Sequence, residues 1–287
     1  MMRRILHDNG EKGIRVRDRV FKILRIIGYL IGFSVLLYPT VSNFVNQRHA
    51  TTVIANYDDE IEHISHNDKK DLLEKARIYN QSLIGVQHVN DPFGGMSNES
   101  EVYKSLLNVN GDGMMGYIRI PSIKVELPIY HGTSEPVLQV GVGHLENTSL
   151  PVGGSSTHAV LTGHRGLPSA KLFTELDIVK VGDVFYIKIL GETLAYEVDQ
   201  ILTVLPTEMQ ALNIEKGKDY VTLVTCTPYA VNTHRMLVRG HRIPYQEANQ
   251  IQKDEHIGYQ IPFEYIIVCG IVIGVCGIIF MIRRIKR

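Results

Sequence analysis

Cysteine is scarce in this 287-residue chain and net charge is absent: three cysteines stand among 30 Lys/Arg and 30 Asp/Glu. Cys269 and Cys276 fall in an uncharged run near the C-terminus, which leaves Cys226 alone in the rest of the chain. A disulfide framework is excluded there, and an unpaired cysteine is either a passive buried thiol or a reactive group. Cys226 has no second cysteine near it, and His234 and His241 do not form a recognised ligand pair, so neither a metal nor another cofactor is expected. There is no internal repeat.

Long apolar runs are what the chain does have. YIIVCGIVIGVCGIIFMI, from Tyr265 to Ile282, carries no charge and is followed by Arg283, Arg284, Lys286 and Arg287, the pattern of a transmembrane helix with a basic flank. Near the other end Ile26 to Val41 forms a second run behind Arg15, Arg17, Arg19, Lys22 and Arg25. It reads as a transmembrane helix or signal anchor. A cleaved signal peptide is the alternative, although no clear small-x-small site follows. The positive-inside rule then puts both termini in the cytoplasm and the intervening domain on the far side of the bilayer. Residues 1–45 hold eight Lys/Arg against three Asp/Glu, and residues 263–287 four against one, so a balance of zero leaves the middle of the chain at −8. An acidic outer domain argues against nucleic acid as a partner.

Asp58 to Gly85 has the apolar spacing of an amphipathic helix. Val86 to Gly113, rich in Asn, Gly, Ser and Asp, reads as a long loop holding Asp91-Pro92-Phe93-Gly94-Gly95. From Met115 seven short runs rich in Ile, Val, Tyr and Leu, bounded by Pro and Gly, predict strands: GYIRIP, KVELPIY, THAVLTGH, VFYIKIL, LAYEVDQILTVLP, YVTLVTC and RMLVRGHRIPY. Short helices are expected at Ser169 to Leu176 and Thr207 to Leu212, and the whole predicts a mainly β barrel. The expected organisation is a basic tail at 1–25, a membrane segment at 26–45, a helix and loop at 46–113, the barrel at 114–245, a linker at 246–262, a membrane helix at 263–282 and a basic tail at 283–287.

Cys226 ends a strand-like run and precedes Thr227-Pro228, where proline removes a backbone donor and turns the chain out of the sheet. A nucleophilic thiol needs a neighbouring cation, and Arg235 opens the next strand after a short loop, close to Cys226 if the two strands pair. Taken without other evidence, the sequence favours Arg235, Arg239 and Arg242 as solvated strand residues. An acid/base group is also needed, and His131, His144, His158, His164, His234 and His241 all lie in or near the barrel. His164 has the best local position, closing HAVLTGH before a loop at Arg165-Gly166-Leu167-Pro168.

TLVTC ending at Cys226, Arg235 nine positions later and TGH ending at His164, sixty-two positions earlier, resemble the signature of the sortases. The resemblance implies an eight-stranded sortase β-barrel. In it Cys226 attacks the Thr–Gly bond of an LPXTG-like sorting signal through a thioester, His164 is the acid/base and Arg235 holds substrate or the oxyanion. Thr225, Thr162 and Gly163, beside these residues in the two motifs, would line the substrate site. The C-terminal membrane run and Asp91-Pro92-Phe93, similar to an Asp-Pro-aromatic lid, resemble the pilus-assembling subgroup, class C, of Gram-positive bacteria. Its acyl acceptor is a pilin lysine, so pilin subunits and the lipid bilayer are the expected partners. A housekeeping enzyme that anchors proteins to peptidoglycan precursor is the alternative, and a non-enzymatic membrane-anchored binding domain is the reading from another class.

Overall fold

The computed structural model describes residues 2–85, 89–94 and 99–248, together with Gly270, Gly274 and Gly277. The chain divides into two compact units, Met1–Ser42 with Tyr259–Arg287, and Asn43–Gly258. Helix α1 (Met2–His63) runs on past both ends of the expected 26–45 span. Among the described residues its segment Val20–His63 is the one helical stretch long and apolar enough to cross a membrane, its most apolar 18-residue window having a mean hydropathy of 2.0. In the first unit Gly274 is helical and abuts Phe33, whose ring a Cβ would meet at 2.6 Å. A small residue allows that approach. The remainder of the expected membrane helix at 263–282, the linker beyond residue 248 and the basic tail lie outside the described residues.

In the second unit the short β-branched and aromatic runs form eight strands: β1 (Met114–Ile120), β2 (Val125–His131), β3 (Val142–His144), β4 (Thr157–Thr162), β5 (Val184–Ile189), β6 (Glu192–Val204), β7 (Asp219–Thr227) and β8 (His234–Ile243). They close into a barrel in the order β1-β2-β3-β4-β7-β8-β6-β5. The pairs β2–β3 and β4–β7 are parallel and the other pairs antiparallel. Because β4 and β7 run in the same direction in register, Thr162 opposite Val224, the chain leaves both strands at one end of the barrel. Apolar side chains such as Ile118, Ile129, Leu161, Ile187, Leu223 and Val238 fill the core.

Four details depart from the expectations. The strand β3 is three residues long, too short to carry a period-two signal. The helix expected over 58–85 is broken: α1 stops at His63 and α2 (His66–Ser82) begins anew, because the Ser65 hydroxyl caps it by accepting from the Asp68 amide at 3.2 Å. The loop after it contains α3 (Glu101–Ser105), and α4 (Glu135–Val140) follows β2. The helices expected at 169–176 and 207–212 shrink to single 3-10 turns, Leu176–Ile178 and Gln210–Leu212. The α-helices are tied to the barrel by buried polar groups. The Tyr57 hydroxyl donates to the Met115 carbonyl and accepts from the Leu190 amide, both at 2.9 Å, and Asn80 bonds both backbone groups of Leu150.

Three of the six barrel histidines are internal. His158 donates from Nδ1 to the Asn213 carbonyl at 3.0 Å and has Thr222 Oγ1 2.7 Å from Nε2. His144 donates from Nε2 to the Ser149 carbonyl at 2.8 Å, and His131 sits between the Gly113 and Leu106 carbonyls. Burial lowers all three imidazoles, His144 to about 3 and His158 to about 4. A neutral imidazole in the fold and an ordinary one in the unfolded chain mean that the unfolded chain binds more protons below the usual value of 6.5. The stability these groups contribute is full above that value and drains away as the pH falls toward their folded values. Thermal melts should therefore show Tm falling between about pH 7 and about pH 5, with each such histidine contributing up to about 1.4 kcal/mol per pH unit. A Tm that stays flat over that range would mean that the imidazoles protonate freely in the folded protein.

Candidate active site

The polar end of the barrel where β4 and β7 finish gathers the residues that the sequence singled out. Cys226 is the penultimate residue of β7, and the antiparallel ladder sets Arg235, the second residue of β8, directly opposite it. The thiol is buried, and three influences act on it. Desolvation is the largest and raises its pKa, the Arg235 charge lowers it, and the Asp91 charge raises it again. The guanidinium of Arg235 is fixed at its base, where Nη1 donates to the carbonyls of Asn232 at 3.0 Å and His234 at 3.1 Å.

His164 follows β4 by two residues. The Gly163 amide continues the β4–β7 ladder by donating to Val224 O at 3.1 Å, and the buried Thr225 hydroxyl donates to Gly163 O at 2.8 Å. Gly163 is required for packing, since a Cβ there would come within 2.6 Å of the Phe173 ring. On the far side of the histidine, the Phe173 amide donates to His164 O at 3.1 Å. The imidazole is thus placed by a backbone tied to the strand that carries Cys226. Thr225, Thr162 and Gly163 are all buried. Thr225 faces into the barrel wall to brace the His164 loop, and the Thr162 hydroxyl has no hydrogen-bond partner among the described residues.

The segment Asp91-Pro92-Phe93-Gly94 lies over these groups as a tight turn, closed by the Gly94 amide on Asp91 O at 2.9 Å. Asp91 grips Arg235 with both oxygens, Oδ1 on Nε at 2.8 Å and Oδ2 on Nη2 at 2.7 Å. The Phe93 ring packs against the small apolar cluster that contains Leu145, Met209 and Leu237, its centroid lies 5.6 Å from that of His164, and the Arg235 guanidinium lies 5.1 Å from the same centroid. One short segment therefore touches both the cation and the imidazole that flank Cys226. The imidazole itself bonds Glu135, Nε2 to Oε2 at 3.2 Å, and among the described residues it makes no hydrogen bond to the thiol.

Two residues at this site escape a reading by sequence. Glu135 opens α4, which is too short to announce itself except through Ser134-Glu135-Pro136 at its start. Arg165, beside His164, crosses from the His164 loop to the turn after Cys226: Nη1 reaches Thr227 Oγ1 at 3.4 Å, Nη2 pairs with Asp177, and the guanidinium lies 5.9 Å from the Tyr229 ring centroid. The other named histidines do not join the site. His131, His144 and His158 are internal, His234 bonds its neighbour Thr233, and His241 lies toward Asp199. Among the described residues no group of three or more His, Cys, Asp or Glu is placed to hold a metal ion.

Comparison with known proteins agrees with the barrel. Residues 118–243 match the sortase domain. Sortase A of Staphylococcus aureus is 25% identical over 220 residues, which are 75% of this chain and 90% of that one. The crystal structure of sortase C1 from Streptococcus agalactiae is 52% identical with a TM-score of 0.62, covering 67% of this chain and 98% of that one. Sortase C of Streptococcus pneumoniae is 45% identical with a TM-score of 0.64, covering 68% and 97%. An eight-stranded barrel of this topology and a relative more than half identical over nearly its whole length place this chain in the sortase family of cysteine transpeptidases, with class C sortases as its structural neighbours.

Proposed function

We propose that this protein polymerises pilin subunits: Cys226 cleaves an LPXTG-like sorting signal between Thr and Gly, and the acyl group passes to a pilin lysine. The observation that carries this reading is the meeting of Cys226, Arg235 and His164 at one barrel end, under a segment whose Asp91 occupies Arg235 with a two-pronged bond. In the first half-reaction the sulfur attacks the threonine carbonyl, Arg235 stabilises the oxyanion, and His164 gives its proton to the departing glycine amine. The product is a thioester on Cys226. Pilin as the substrate class is supported by the class C neighbours, since pilin substrate specificity is attributed to the sortase C of S. pneumoniae. The topology proposed with it is two membrane passes, with the barrel outside the cytoplasmic membrane. It rests on the apolar helix near the N-terminus and the second apolar run at 265–282.

In this reading Asp91, Pro92 and Phe93 form a lid that holds the resting enzyme closed. Pro92 stiffens the turn, so the flanking side chains are presented together at low entropic cost. Asp91 neutralises the cation that the transition state needs and adds to the forces that keep the thiol protonated. The test uses full-length protein in detergent, with the rate of Cys226 alkylation by a small reagent followed against pH. Asp91→Ala and Phe93→Ala should both label faster than wild type. In Asp91→Ala the inflection should also move to lower pH, because one of the influences raising the thiol has been removed. Unchanged labelling in both variants would mean that the turn does not cover the thiol. The thioester itself is sought by mass spectrometry after adding an LPXTG peptide.

A further inference from the structure

Two carboxylates engage Arg235 and His164, and their settings are opposite in character. Asp91 is nearly buried and fully engaged by Arg235. Glu135 is two-thirds exposed, its side chain 67% accessible, and it meets the His164 ring at its edge while Phe93 covers a face. The Glu135 Oε1 atom accepts from Gln139 Nε2 at 2.5 Å and Oε2 faces His164 Nε2 at 3.2 Å. The Gln139 bond, with His164 as a smaller contribution, holds the carboxyl below the ordinary value, so it is ionised at neutral pH.

An exposed carboxylate contributes little to holding a histidine in place. His164 does not need it for that, because the Gly163, Thr225 and Phe173 bonds already set the loop and Phe93 packs on the ring. What the pair offers is a negative charge in open solvent, beside a proton acceptor, at the edge of a site whose thioester must be attacked by an amine. A primary amine arrives as an ammonium ion. It has to be held and deprotonated before it can act as a nucleophile.

We infer that Glu135 is the receiving group for the acyl acceptor, its carboxylate holding the protonated primary amine of the incoming chain beside His164. The inference rests on the reading of Cys226 as nucleophile and His164 as acid/base given above. In the step it serves, the ammonium passes one proton to neutral His164, and the freed lone pair attacks the thioester carbonyl. The C–N bond forms and the C–S bond breaks, the sulfur leaving as a thiolate beside Arg235. The second proton of the amine is released to solvent, balancing the one taken up by the glycine amine of the first half-reaction. The donor side of the site is closed by the lid, whereas the acceptor carboxylate stays open to solvent. The acidic balance between residues 46 and 262 would favour the approach of a cationic segment from a distance.

The test compares two nucleophiles on full-length enzyme in detergent, in an Asp91→Ala background that opens the lid. An LPXTG peptide is the donor, and the acceptor is either an N-acetylated lysine peptide, cationic at neutral pH, or hydroxylamine, which is uncharged. Thioester on Cys226 is measured first by mass spectrometry. Adding Glu135→Gln should lower transfer to the lysine peptide about threefold more than transfer to hydroxylamine, the size expected when a solvent-exposed charge pair is lost. The loss should appear mainly as a raised KM for the lysine peptide. An equal fall with both nucleophiles would show that Glu135 acts only through His164 and would overturn the inference, as would no fall with either. If the Asp91→Ala background forms no thioester at all, it is the assignment of Cys226 that fails, and the acceptor role falls with it.

Discussion

Cys226→Ala is expected to form no thioester with an LPXTG peptide and no pilin polymer, while Tm moves by only a few degrees. On the proposed mechanism the Cys226 sulfur carries the acyl group, and no other cysteine lies in the barrel. The structural loss is small. Removing one buried sulfur at a strand end leaves every ladder bond between β7 and β8 in place, and about 1 kcal/mol is a typical cost, or about 2–4 °C for a domain of this size. Mass spectrometry of the peptide-treated protein and a thermal melt give both quantities. Polymer formed by the alanine variant would remove Cys226 from the mechanism.

The second large effect separates two histidines of similar sequence appearance. His164→Ala should slow thioester formation about 100-fold or more, the usual loss when a general acid is removed, and Arg235→Ala should cost at least as much because an oxyanion donor goes with it. Neither change should unfold the barrel. His158→Ala should do the reverse, since it leaves the Asn213 carbonyl and the Thr222 hydroxyl without their buried partner. An unsatisfied buried group costs about 1–3 kcal/mol, so that variant should melt earlier while each folded molecule turns over almost normally. Rates per folded molecule, corrected by the melting curve, decide the matter. A His158→Ala enzyme as slow as His164→Ala would mean that the wrong imidazole has been assigned.

The strands and the pairing of Cys226 with Arg235 were legible in the chain because they are written in short range. Alternating Ile, Val and Tyr between glycines and prolines mark seven of the eight strands, and a short loop between 227 and 234 forces β7 and β8 together. The parallel neighbours were not legible. Nothing in THAVLT or YVTLVTC says that they lie side by side in the same direction, and yet that pairing brings His164 to Cys226. Phe93 illustrates a second limit. Its place in an Asp-Pro-aromatic motif does not say which groups the ring meets, and its ring contacts fall on His164 and Arg235. Glu135 was invisible for a third reason: its interest comes only from a contact across 29 positions with a histidine on another loop.

The closure of the barrel has a consequence for recognition. Extended peptides are commonly captured by adding a strand to an open sheet, where backbone bonds do most of the binding and tolerate many side chains. Among the described residues the first and last strands are joined, β1 to β5, so the sheet closes on itself and offers less open edge for such an addition. In the proposed function a sorting signal would then be read chiefly by the side chains and loops around Cys226, residue by residue. A reader of that kind responds to a short fixed word rather than to any stretch of extended chain.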